Sequence, residues 1–122
     1  MKNKMKWYRR LYLGERAEKK DIWEKLRGDG LHPRLFLLVL PSNPSNLLDI
    51  LPQPVLFQEH YRELPLYVVG AAWGKQEAME PAGTIVMEAY RTMGTMKVAE
   101  YLGDDFLDEP EEAGEELYRE WQ

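Results

Sequence analysis

Two histidines are the only side chains in this sequence that ordinarily titrate near neutral pH. His32 stands directly before Pro33, whereas His60 lies between Glu59 and Tyr61 with Glu63 three residues on. On a helix, His60 and Glu63 would share a face with Glu59 beside them, which is the start of a metal or acid–base cluster. The spacing supplies no third or fourth ligand, and an isolated His/Glu pair is commonplace on exposed helices, which favours a solvated surface turn. The chain has no cysteine, so thiolate nucleophiles, cysteine-ligated zinc, iron–sulfur clusters and disulfides are excluded. No serine sits in a GxSxG elbow, so a hydrolase triad has no support. The residues therefore point away from an enzyme, with no catalytic set, no metal site and no cofactor expected.

Binding chemistry is better represented. Residues 41–46 read PSNPSN and residues 72–76 read AWGKQ, each directly after an apolar run of strand length. If those two strands are neighbours and parallel, their carboxyl ends bring both segments to one edge of the sheet, where helix N-termini present free N–H groups to anions. Ser42, Asn43, Ser45 and Asn46 would add polar groups, Lys75 a charge and Trp73 a stacking face for a small, nucleotide-like anion. Neither GxGxxG nor GxxxxGK[ST] is present, and serine and asparagine beside proline also serve as ordinary helix caps.

The net charge of −5 conceals a strong gradient. Residues 1–34 carry 11 Lys/Arg against 5 Asp/Glu, residues 35–103 carry 4 against 7, and residues 104–122 carry 1 against 9. The basic arm, residues 1–13, interleaves Trp7, Tyr8 and Tyr12 with its cations, the ingredients of a phosphate and base contact. An acidic chain with pI ≈ 5.1 argues against nucleic acid as the partner. The alternative is that Trp7, Leu11 and Leu13 pack on the sheet while the lysines stay in water. In the acidic tail, residues 104–122, Phe106 comes early, and Leu117 and Trp121 stand four apart. Such a tail is an ordinary solvated charge run unless its aromatics dock, either on the domain beside the basic arm or in a partner's groove.

These residues need a frame. Residues 35–40 (LFLLVL) and 66–71 (LYVVGA) are continuous apolar runs of strand length, which predicts burial on both faces as in a parallel sheet. Residues 15–27 predict a helix with Ile22, Trp23 and Leu26 on one face. Residues 44–51 predict a helix capped by Asn43 and ended by Pro52, and residues 55–62 a short helical turn. Residues 75–93 predict the clearest helix, with Ala78, Met79, Ala82, Ile85, Val86, Ala89, Tyr90 and Met93 read as one apolar face, Pro81 as a kink or a start, and Gly94 as the stop. Residues 97–102 predict a third, shorter strand, and the basic arm an edge strand.

The expected architecture is a small single α/β domain over residues 1–103, with a three- to four-stranded, mostly parallel or mixed sheet flanked by helices. Residues 104–122 follow as a tail or docking helix. No run approaches the roughly 20 apolar residues of a membrane span, and residues 1–14 lack the apolar centre of a secretory signal, so cytoplasm is the expected compartment. The leading functional expectation is a non-enzymatic protein-interaction or regulatory module contacting another protein through Phe106, Leu117 and Trp121. The alternatives are the anion site at the strand ends and nucleic-acid contact by the arm.

Overall fold

In the computed structural model, which describes residues 4–28, 30–41, 47–62, 65–95 and 97–109, the LFLLVL run alternates between two cores. Leu35, Leu37 and Val39 face one hydrophobic cluster, and Phe36, Leu38 and Leu40 face the other. A run with no polar position is what a strand covered on both faces requires.

The elements follow in the order β1 (Lys4–Leu13), α1 (Lys19–Arg27), β2 (Leu35–Val39), β3 (Asp49–Pro52), a 3-10 helix (Gln53–Phe57), α2 (Glu59–Arg62), β4 (Pro65–Trp73), α3 (Lys75–Met93), α4 (Val98–Leu102) and β5 (Phe106–Leu107). They build a five-stranded mixed sheet in the order β3-β2-β4-β1-β5. Ile22 and Leu26 of α1 and Leu56 of the 3-10 helix bury one face with Trp7, Leu35, Leu37 and Val68. Ala78, Ala82 and Ile85 of α3, with Val98 and Leu102 of α4, bury the other with Leu38, Val69 and Ala72. The result is an α/β domain with helices on both faces of the sheet, holding five strands where three or four were expected.

Only β1 and β4 run parallel among the described strands; β2 pairs antiparallel with both β3 and β4, and β5 antiparallel with β1. The two apolar runs are therefore neighbours, as expected, but opposite in direction. Two-sided burial follows from helices on both faces and carries no information about strand polarity. In β4 the side-chain parity changes after Val69: Leu66 and Val68 share a core with Ala71 and Trp73, and Val69 and Ala72 lie on the other side. Its register against β2 slips at the same place. A bulge of this kind bends a strand and re-aims the side chains beyond it. Gly70 stands there because a Cβ would collide with the Tyr12 carbonyl oxygen of β1.

Three local expectations are corrected. Residues 49–52 are β3 rather than the end of a helix: Ile50 packs on one core and Leu51 on the other, the alternation of a strand, and Pro52 is tolerated at the end of an edge strand. Residues 98–102 are helical rather than extended, because Val98 and Leu102, four apart, reach the same core, and Gly103 at φ 70° supplies the stop. The arm is an interior strand, held between β4 and β5, rather than an edge. The short turn expected over residues 55–62 is found as the 3-10 helix and α2, and α3 runs unbroken from Lys75 with Pro81 buried inside it.

Gln53 is the one buried polar side chain among the described residues. Its Oε1 accepts the His32 N–H at 2.7 Å and its Nε2 donates to the Gly30 carbonyl at 3.0 Å, which ties the loop ahead of β2 to the 3-10 helix.

Candidate functional site

The carboxyl ends of the parallel pair, Leu13 of β1 and Trp73 of β4, define the edge where an open α/β sheet ordinarily receives a ligand. The N-terminus of α3 points there, after a turn that only Gly74, at φ 99°, adopts without strain. Trp73 and Lys75 are at this edge. Pro41 is not: β2 runs opposite to β4, pairing Leu35 with Trp73 and Val39 with Val68, so the chain leaves β2 at the far end of the sheet. The condition on which the crevice rested, parallel neighbouring strands, is not met. Ser42, Asn43, Ser45 and Asn46 lie outside the described residues.

The edge already holds an anion of its own. Glu77, in the first turn of α3 and only 11% exposed, accepts the Trp73 N–H at 2.6 Å, the Arg16 N–H at 3.1 Å and the Arg16 Nε at 3.0 Å. Arg16 closes the circuit by donating to the Trp73 carbonyl at 3.0 Å. Burial pushes the Glu77 carboxyl up, but the hydrogen bond from the Arg16 side chain and those from the Trp73 and Arg16 backbones outweigh it and hold the pKa below its ordinary value. Gly14 makes room, since a Cβ there would stand 2.6 Å from Glu77 Oε2 and 2.7 Å from the Ala72 Cβ. Nor is the Trp73 ring free for stacking: Lys25 Nζ lies 5.8 Å from its centroid, and Lys25 also donates to Asp21, one turn back in α1, at 2.7 Å.

The outer surface of α3 is different. Its eight-residue apolar set does not form one face. Ala78, Ala82, Ile85 and Ala89 are buried, whereas Met79 is 57% exposed, Tyr90 56% and Met93 53%, with Val86 between the two groups. Met87, outside that set, is 46% exposed. The buried positions recur at steps of four, three and four. Residues 79, 83, 86 and 90 repeat those steps one residue later, about 100° round the helix. An apolar arc this wide exceeds what one sheet covers, and that width was the available sequence signal for a second, outward stripe.

At the opposite end of the sheet, β5 seats Phe106 against Tyr8 and Tyr67, with ring centroids 5.3 and 5.2 Å apart. Asp105 pairs with Arg9 at 2.9 Å, and Asp108 pairs with Lys6, whose pKa its hydrogen bond and charge raise. The start of the acidic segment is thus docked on the basic strand, and Phe106 contacts this domain's own rings. The sheet extends past residue 103. Leu117 and Trp121 lie outside the described residues. Beside Phe106 is an open pocket of about 400 Å³ lined by Lys6, Leu40, Tyr67, Ala99, Gly103 and Asp104.

The aromatics of the basic arm are committed inward. Trp7 is 1% exposed and meets Trp23 edge-on at 5.4 Å, and Tyr8 is buried. Tyr12 donates to Glu88 Oε1 at 2.6 Å, an acceptor shared with the Tyr101 hydroxyl at 3.2 Å. Burial, then the Glu88 hydrogen bond, raise the Tyr12 pKa and keep the phenol neutral. Leu11 and Leu13 pack on the cores, as the packing alternative required. His60 is exposed and stacks edge-on with Tyr61 at 4.8 Å; Glu63 lies outside the described residues. Among the described residues no group of three or more His, Asp and Glu converges on a point where a metal would bind, and no helix is long and apolar enough to cross a membrane. Comparison of the chain with family models, with curated proteins and with solved structures finds no match.

Proposed function

We propose that the protein is a non-enzymatic, cytoplasmic interaction module whose contact surface is the outer face of α3. The observation that carries this reading is the exposure of Met79, Met87, Tyr90 and Met93 along one side of a single helix. Burying one such side chain is worth about 1.5–3 kcal/mol, so a partner covering several of them gains more than any surface ion pair offers. Methionine adapts its shape to a partner at low cost, which suits it to a contact surface. The edge occupied by Glu77 supports the non-enzymatic part of the reading, because the fold's customary ligand position is filled from within. A cysteine-free chain also suits a reducing compartment.

A photo-crosslinking amino acid in place of Met87 tests the surface. Irradiation in native lysate is expected to yield a protein adduct that Tyr90→Glu abolishes, and a chain giving no Tyr90-dependent adduct overturns the reading. A second reading, small-ligand binding, is favoured by the pocket beside Phe106, where an anion would take Lys6 over from Asp108. It predicts that some member of an anionic metabolite panel raises the melting temperature of the wild type and not of Lys6→Ala.

A further inference from the structure

We infer that the partner of the α3 face is a second copy of this chain, packed antiparallel, α3 against α3. The inference rests on the reading above and names its occupant. The exposed positions Met79, Gly83, Tyr90 and Met93, with the half-buried Val86 among them, are separated by steps of four, three, four and three, the spacing of a coiled-coil seam. In a two-fold pairing centred on Val86, Met79 lies level with Met93 of the other copy, and Gly83 lies within one residue of its Tyr90. A Cβ at Gly83 would meet nothing within 4 Å in the single chain, so the glycine leaves a hole on the surface. The other copy's tyrosine is the knob that fits it. Each such contact is made twice, as a two-fold interface requires.

Charge selects both the copy and its direction. Glu80 and Arg91 are exposed and flank the seam on the same side, eleven residues or about three turns apart. In a parallel two-fold pair the flank carrying Glu80 and Arg91 would fall on opposite sides of the seam in the two copies, so these charges would not meet. Antiparallel pairing brings Glu80 of each copy within one residue of Arg91 of the other, on the same side of the seam, so one helix supplies both halves of the complementarity. A seam about 21 Å long lies at the small end of specific interfaces, and the dissociation constant is expected on the order of 10 μM.

Sedimentation velocity of the full chain, from about 1 to 300 μM, provides the test. The wild type is expected to move from monomer to dimer across that range, and Tyr90→Glu to stay monomeric with an unchanged circular dichroism spectrum. Glu80→Arg and Arg91→Glu should each weaken dimerisation about tenfold, and the double variant, which exchanges the two charges, should recover most of the loss. A double variant as weak as the singles overturns the antiparallel arrangement. A wild type monomeric throughout overturns the second copy, yet leaves the contact-surface reading standing if the Met87 crosslinker still captures another protein in a Tyr90-dependent way. A dimer indifferent to Tyr90→Glu overturns the inference and places self-association elsewhere.

Discussion

On the sheet side of α3 stand Ala78, Ala82, Ile85 and Ala89; on its outer side stand Met79, Met87, Tyr90 and Met93. The inner residues are mostly small, so the helix lies close on β4 and β1, and the larger apolar side chains are the ones left in water. A domain that served only its own stability would gain more with those sizes exchanged, since each large apolar group brought out of water is worth about 1.5–3 kcal/mol. The N-terminus of the same helix shows the reverse economy. There a polar edge that could receive an external anion is satisfied by Glu77, within the chain. One helix thus ends in a closed site and carries an open surface, and contiguous exposed apolar surface is the feature that marks contact with other molecules.

Substitutions on the two sides should separate sharply. The largest effect is expected for Ile85→Ala, which cuts a fully buried side chain from the core and should cost about 3 kcal/mol in chemical denaturation. A cost below about 1 kcal/mol would break the division between faces. Next is Glu77→Ala, which strips the acceptor from the Trp73 N–H and the Arg16 guanidinium and should cost about 2 kcal/mol, or roughly 10 °C in melting temperature. If the edge is an anion site closed by its own carboxylate, sulfate should restore part of that loss in Glu77→Ala while barely affecting the wild type.

The pH dependence sharpens the same point. The Glu77 pKa is depressed on folding, so its contribution is present above the unfolded value, 4.5, and is lost as pH falls through the lower folded value. The wild type should therefore lose stability below pH 4.5 more steeply than Glu77→Gln, measured by denaturant midpoints across the acid range; parallel curves would show that the ionised carboxylate is not what closes the edge. The smallest effect is expected on the outer face, where Met79→Ser and Tyr90→Ser should each change monomer stability by about 0.5 kcal/mol or less. A larger loss in dilute solution would mean that these side chains serve the fold rather than a partner.

Much of the frame was legible in the residues. LFLLVL announced a strand covered on both faces, and the 3.6-residue recurrence from Ala78 to Ala89, closed by Gly94, announced α3. Lysines among Trp7, Tyr8, Leu11 and Leu13 were readable as a strand with its apolar side chains inside, and Phe106 beside Asp105 and Asp108 as a segment able to dock on that basic strand. The candidate sites were less legible. Trp73 and Lys75 stand at a strand end as read, but the hold of Glu77, Arg16 and Lys25 on Trp73 depends on groups brought together from α3, the β1–α1 connection and α1. The outward stripe of α3 was visible as spacing and was merged with the inner one, because both recur with the same period and differ only in phase.

Composition and periodicity determined by themselves that this chain buries two-sided strands under helices and lacks cysteine chemistry, since burial and side-chain type are local properties of the residues. Only the tertiary structure decided that β2 opposes β4, that β1 lies inside the sheet and that residues 98–102 close a helix on the α3 face. The physical reason is that an alternating strand presents the same side chains whichever way it runs. Its direction and neighbours are set by backbone hydrogen bonds to distant segments and by how the connections reach them.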